Sequence, residues 1–198
     1  MPQLLIATNN SHKTEEIAAI LGANFQVRDL SSENFPKVAE TGTTFLENAT
    51  LKAVEISKQT QGYVLADDSG LEVDALGGEP GVYSSRYAGT DGDDAANNAK
   101  LVTELAILPA DTPRSARFRC VIVIAKDGGR LAHFSGAVEG SIVSDAQGAN
   151  GFGYDPHFQP DGFDKSFAQL SSETKNSLSH RANAMAQAAP WLNKLIEQ

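Results

Sequence analysis

The chain has 198 residues, of which 41% are apolar and 21% charged. That balance suits a single globular domain spanning residues 1–198 and excludes a largely disordered chain. The formal charge of −9 argues against long nucleic acid or an anionic membrane as a partner, since both favour a basic surface. It leaves room for a small phosphorylated ligand held locally by a few Lys, Arg and backbone N–H groups.

Leu4-Leu5-Ile6-Ala7 reads as a short buried strand. It is too short for a signal peptide and lacks a basic start, and no segment approaches the length of a membrane span, so a cytoplasmic location is expected. A polar stretch, Thr8-Asn9-Asn10-Ser11, leads into a helix reaching about Leu21, with Gly22 as its stop. A second strand is expected over 25–28. Strand, polar turn, helix and strand in this order predict an α/β layout.

Thr44-Phe45-Leu46-Glu47 fits a capping box. The helix behind it carries Leu46, Ala49, Ala53 and Ile56 on one face and is expected to end near Gly62. Val64-Leu65-Ala66 reads as a short buried strand running into Asp67-Asp68-Ser69-Gly70. Residues 77–81 form a glycine- and proline-rich loop. Asp94 is expected to cap a helix ending near Leu105. Ser115 to Ala125 and Leu131 to Val143 are long strand candidates, joined by Asp127-Gly128-Gly129 as a hairpin. A hairpin beside strand–helix units implies a mixed sheet. Cys120 is alone in the chain, so no intrachain disulfide forms, and its apolar surroundings mark it as an inert core thiol. From about Ser171 the chain reads as helical, with Pro190 expected to break or kink it.

Five patches carry chemical potential. The first, Thr8 to Lys13, lies between a strand and a helix N-terminus, where free N–H groups and the helix dipole attract anions. Lys13 is disfavoured there unless an anion sits beside it; ordinary N-capping by Asn10 or Ser11 with a solvated lysine is the competing reading. The second is Glu40-Thr41-Gly42, with Asn48 and Lys52 one turn apart on a common helix face. The third is the Asp67-Asp68 pair after a buried strand. Two adjacent carboxylates repel, and a hard divalent cation relieves that cost; a turn is the competing reading. The fourth is Gly151-Phe152-Gly153-Tyr154-Asp155-Pro156, which could form a pocket for a flat ring or simply an anchored loop. The fifth is Lys175 with Ser179-His180-Arg181, a source of hydrogen-bond donors or a plain polar helix start. Walker loop, zinc spacing and nucleophile elbow are all missing.

Taken together and in order, these blocks resemble the inosine triphosphate pyrophosphatase family. That family shows Thr-x-Asn-x-x-Lys (Thr8, Asn10, Lys13), Glu-Thr-Gly (Glu40 to Gly42), Phe-x-Glu-Asn-Ala (Phe45 to Ala49) with Lys52 beyond it, and Asp-Asp-Ser-Gly-Leu (Asp67 to Leu71). Leu-Gly-Gly-x-Pro-Gly-x-Tyr-Ser-x-Arg-Tyr follows at Leu76 to Tyr87, then Gly-Phe-Gly-Tyr-Asp-Pro at Gly151 to Pro156, and Ser-His-Arg at Ser179 to Arg181. Two positions depart from the pattern: Thr174, where bacterial members often carry an acidic residue, and Asn9, where glycine is commoner.

The resemblance implies two α/β lobes around a long mixed β-sheet flanked by helices, with the nucleotide in the cleft between them, and a homodimer. It implies Mg²⁺-dependent hydrolysis of noncanonical purine nucleoside triphosphates (ITP, dITP, XTP) to the monophosphate and pyrophosphate. In that scheme Glu40 and Asp68 hold Mg²⁺, and Asp68 is also the general base, with Asp67 in reserve. Thr8, Asn9, Asn10, Ser11, His12, Lys13 and Lys52 cradle the phosphates, Ser69 donates a hydrogen bond, and Arg86 is a further candidate phosphate contact. Phe152, Gly153, Tyr154, Asp155, Lys175, His180 and Arg181 form the base pocket. Competing readings are a house-cleaning pyrophosphatase for modified pyrimidine or methylated nucleotides and a non-catalytic nucleotide sensor.

Overall fold

The computed structural model describes residues 3–32 and 35–196. Six strands form one mixed sheet in the order β2-β1-β3-β4-β5-β6. They are β1 (Gln3–Ile6), β2 (Gln26–Asp29), β3 (Tyr63–Val73), β4 (Ser115–Lys126), β5 (Gly129–Ile142) and β6 (Phe158–Pro160). β1 runs parallel to both β2 and β3, while β5 and β6 are antiparallel. The helices are α1 (Ser11–Leu21), α2 (Phe45–Ser57), α3 (Asp94–Ala106), α4 (Ser172–Leu178) and α5 (His180–Ile196). The mixed α/β class expected from the sequence is what forms.

The contacts divide into two compact units, one comprising 1–68, 120–136 and 180–198, the other 69–119 and 137–179. In the first, strand alternation buries both sheet faces, as expected of parallel strands. Leu4, Ile6, Leu65, Cys120, Ile122 and Ile124 point one way, against Ile17 and Leu21 of α1 and Ala184, Met185, Ala188 and Leu192 of α5. Leu5, Ala7, Val64, Ala66, Val123 and Ala125 point the other, against Ala49, Ala53 and Ile56 of α2. Cys120 is wholly buried, which pushes its thiol up to about 12. The second unit has its own core, in which Leu101 and Leu105 of α3 join Leu71, Val73, Phe118, Phe158 and Phe167.

Several local signals act as written in the sequence. α1 ends at Leu21 with Gly22 as C-cap. Thr44 and Glu47 make the reciprocal capping box of α2. β4 and β5 are joined by Asp127 and Gly128, both at positive φ (51° and 77°), the conformation of a two-residue hairpin turn.

Other expectations are corrected. α2 ends at Ser57, before Gly62, with Lys58 as its C-cap. The cap of α3 is Asp93, which accepts from Ala96 N–H at 3.0 Å; Asp94 is spent elsewhere. Asp67-Asp68-Ser69-Gly70 is no turn but the middle of an eleven-residue strand. Lys13 and Arg181 lie against the Asp67 carboxylate and Lys52 against that of Asp68. β6 has no counterpart in the sequence reading. The C-terminal helical stretch is broken at Ser179, whose ψ of 160° is extended, and Pro190 sits inside a continuous α5. Pro190 and Ala186 four residues earlier are both exposed, so water can serve the carbonyl left without its donor. Buried Ala188 and Leu192, on either side of the proline, anchor the helix to one core.

Candidate active site

Asp67 and Asp68 are neighbours on β3, so their side chains leave opposite faces of the sheet. Each joins a different cluster. Asp67 lies on the α1/α5 side and is 1% exposed. Its Oδ2 accepts from Lys13 Nζ and from Arg181 Nη2, each at 3.1 Å. Arg181, also 1% exposed, gives its Nη1 to Glu16 of α1. Burial pushes the Asp67 carboxyl up, but Lys13, Arg181 and Lys52 overcome it and hold Asp67 well below the usual carboxylate range. Burial likewise disfavours the Arg181 cation, and Asp67 and Glu16 restore it.

Asp68 lies on the α2 side, where Lys52 Nζ stands 3.2 Å from Asp68 Oδ1 and 2.8 Å from Glu40 Oε1. One ammonium thus bridges two carboxylates from separate chain segments. The Lys52 charge is opposed by burial but reinforced by Asp68, Asp67 and Glu40. Asp68 is raised: desolvation dominates, Lys52 and Lys13 offset part of it, and Glu40 and Asp67 add to it. Asp68 Oδ2 is buried and lacks a hydrogen-bond partner among the described residues. No group of three or more His, Cys, Asp or Glu side chains among them could hold a metal ion alone. Two carboxylates already holding a cation, plus an orphaned carboxylate oxygen, fit a divalent ion that takes its remaining ligands from water and phosphates.

The Thr8–Lys13 loop turns into α1 largely on its own bonds. Asn10 N–H donates to Thr8 Oγ1 at 3.1 Å, and Asn10 Oδ1 accepts from His12 and Lys13 N–H at 3.0 and 3.3 Å. Asn10 is therefore the N-cap. Asn9, Ser11 and His12 are exposed. The Lys13 ammonium, placed where the helix dipole disfavours it, is balanced by Asp67.

In the second unit, Asp155 is 3% exposed and its Oδ2 accepts from Phe152 N–H at 2.9 Å and Lys175 Nζ at 2.7 Å. Lys175 lies over the Phe152 ring, 4.7 Å from its centroid. Gly151 has φ +77°, and a Cβ there would collide with Asp155 Oδ2, so the bend at 151 exists to let the carboxylate in. Gly153 is clamped by α3: its N–H donates to Asp94 at 2.7 Å and its carbonyl accepts from Asn98 at 2.9 Å. Tyr154 is buried, its hydroxyl donating to Ser84 O at 2.8 Å. The Arg86 guanidinium covers the Tyr83 ring at 5.2 Å. Ser69 follows Asp68 on β3 with its side chain partly exposed, and His180, at the start of α5, is 5% exposed.

The family model that matches the chain is that of the Ham1 family, over residues 4–191. The chain belongs to the Ham1 family. It is 48% identical to the dITP/XTP pyrophosphatase of Desulforamulus reducens over 195 residues, covering 98% of this chain and 96% of that one. The dITP/XTP pyrophosphatase of Geobacter sulfurreducens is 47% identical over 94% of each chain. Among solved structures, the Ham1 protein of Staphylococcus aureus superposes with a TM-score of 0.85 at 43% identity, covering 97% of this chain and 98% of that one. A HAM1 protein from Coxiella burnetii gives 0.88 at 38% identity, covering 98% and 100%.

Within this Ham1 chain, the structure groups Lys13, Asp67 and Arg181 in one cluster and Glu40, Lys52 and Asp68 in another, and pairs Asp155 with Lys175. Arg181, a base-pocket residue in the family resemblance, donates here to the carboxylates of Asp67 and Glu16. Sequence reasoning missed Glu16, Asp94 and Asn98 as partners of these groups. Asp94 was legible only as a capping residue, and nothing local marks a helix-start Asp as the clamp of a loop some sixty residues on.

Proposed function

We propose that this chain is a Mg²⁺-dependent pyrophosphatase that hydrolyses noncanonical purine nucleoside triphosphates such as ITP, dITP and XTP to the monophosphate and pyrophosphate. The observation that carries the reading is near-full-length identity of 48% to a dITP/XTP pyrophosphatase, supported by a bridged Glu40–Asp68 pair able to take a hard cation.

Glu40 and Asp68 are the proposed metal ligands. When bound, Mg²⁺ neutralises phosphate charge and lowers the pKa of a coordinated water. Lys13 and Lys52 meet the phosphates with the Thr8–Lys13 loop, and both can turn from carboxylate to phosphate on flexible stems. Asp68 takes the proton of the attacking water. Ser69 donates to the nucleotide. Phe152 to Asp155, Lys175, His180 and Arg181 are the residues proposed for the base. A 6-oxygen accepts hydrogen bonds where the amino group of adenine donates, so donors from His180, and from Lys175 and Arg181 once they exchange their carboxylate partners for the base, would favour ITP and XTP over ATP. The family resemblance carries with it a homodimer, and a cytoplasmic location is part of the same proposal.

The test is a panel of nucleoside triphosphates with Mg²⁺, assayed for monophosphate, diphosphate, pyrophosphate and phosphate. ITP or XTP should give monophosphate and pyrophosphate, with ATP much slower. Diphosphate plus free phosphate as main products would overturn the reaction class.

A further inference from the structure

We propose that Asn48 is the positioning residue that sets Glu40 for the divalent cation, by holding the backbone just after Glu40 against α2. The proposal rests on Glu40 being a metal ligand.

Asn48 lies in the first turn of α2 and is 0% exposed. Its Oδ1 accepts from Gly42 N–H at 2.8 Å. A backbone N–H can only donate, so this bond decides which end of the amide faces Gly42. The Nδ2 end is left buried with no hydrogen-bond partner among the described residues. A core site that leaves an amide half satisfied would be better filled by an apolar residue, unless the satisfied half has work to do. Here it fixes the chain two residues after Glu40.

The grip continues along the helix start. Thr43 N–H, Thr43 Oγ1 and Thr44 N–H all donate to Glu47 Oε2, at 2.7, 3.0 and 3.2 Å. Gly42 sits so close that an added Cβ would lie 2.6 Å from Glu47 Cβ and 2.8 Å from Asn48 Oδ1. Lys52, four residues beyond Asn48 and on its face of α2, then takes the Glu40 carboxylate at 2.8 Å. One helix thus holds the segment twice: Asn48 by its backbone, Lys52 by its carboxylate. Lys52 can exchange partners when a cation and phosphates arrive, whereas the Asn48 bond need not change, so Asn48 keeps Glu40 in place through that exchange.

Mn²⁺ binding to nucleotide-free protein, read by electron paramagnetic resonance, tests this without turnover. Outer partners of a metal ligand typically contribute 10–100-fold in metal affinity. Asn48→Ala should weaken Mn²⁺ binding about tenfold, and the Mg²⁺ needed for half-maximal rate should rise in step. KM for ITP at saturating Mg²⁺ should move less than about twofold. Gly42→Ala attacks the same contact from the loop side and leaves the buried helix face intact; it should give the same loss. Asn48→Asp keeps an acceptor for Gly42 and should bind Mn²⁺ at least as well as wild type. Unchanged Mn²⁺ affinity in Asn48→Ala and Gly42→Ala, whatever their melting temperatures, would make Asn48 merely structural and end the proposal; so would a loss in Asn48→Asp equal to that in Asn48→Ala. Glu40→Gln is the reference: a loss there without one in Asn48→Ala overturns the positioning alone, and no loss there overturns the metal assignment on which it rests.

Discussion

Asp67 and Asp68 carry the same side chain one residue apart, and opposite physics. Asp67 is a buried anion held by cations, its pKa lowered. Its contribution to stability is therefore full above the ordinary carboxylate range, around pH 4, and is lost as pH falls towards the folded value. Asp68 is raised by burial, so the sign reverses: its ionisation costs stability as pH rises through the folded value. Asp67→Asn should lower stability by about 3–5 kcal/mol, the cost of breaking a buried ion pair, with the deficit shrinking as acid is added. Asp68→Asn should melt no lower than wild type at neutral pH, yet lose on the order of 10²-fold or more in kcat, as removal of a general base does. Thermal melts from pH 3 to 8 beside kcat decide it; equal stability loss in both variants would remove the distinction. The sequence pointed to the Asp pair but could not divide the roles. Period-2 alternation does that, and it applies only if the pair lies in a strand. Asp, Ser and Gly in succession score as a turn; here they continue a strand whose apolar residues on either side, Val64 to Ala66 and Leu71 with Val73, are buried.

Elements whose signals are local were legible to within a few residues. Gly22 stops α1, the Thr44–Glu47 box starts α2, and Asp127-Gly128 turns β4 into β5, because each works through bonds among neighbours. The misses depended on tertiary context. β6 has three residues, too few for periodicity to register, and α2 stops short although helix-compatible residues continue to Gln61. Pro190 is the reverse case: a strong local breaker outvoted by Ala184, Met185, Ala188 and Leu192, all buried in one core. Restoring the missing N–H should therefore stabilise. A helix-interior proline costs about 3 kcal/mol against alanine, and its stiffening of the unfolded chain returns up to about 1 kcal/mol. Pro190→Ala should gain about 2 kcal/mol on denaturant unfolding, since the exposed ring gives up little packing. A loss would show that the proline is needed to seat the end of α5.

At the scale of the whole molecule, the chain passes between its two units four times, at residues 68, 119, 136 and 179. β3 belongs to the first unit through Asp68 and to the second from Ser69, and β4 changes unit between Arg119 and Cys120. The candidate residues follow the same division, with Lys13, Glu40, Lys52, Asp67 and Asp68 in one unit and Asp155 and Lys175 in the other. The order of the motifs along the chain was readable in the sequence; this division was not, because it follows from which core each strand segment joins. Two cores threaded by common strands should not melt independently, since a strand released at one end loses backbone partners along its length. Trp191, the chain's only tryptophan, packs with Phe134 in the first unit at 6.0 Å between ring centroids and reports on that unit. Leu101, 0% exposed, lies in the second core, where truncation to alanine costs about 2–5 kcal/mol. Leu101→Ala should therefore lower the urea midpoint seen by Trp191 fluorescence as much as the midpoint seen by far-UV circular dichroism, with the two curves coincident, as two-state unfolding requires. A Trp191 transition left at its wild-type midpoint while the dichroism shifts would show that the first unit stands on its own core and that the shared strands transmit no cooperativity.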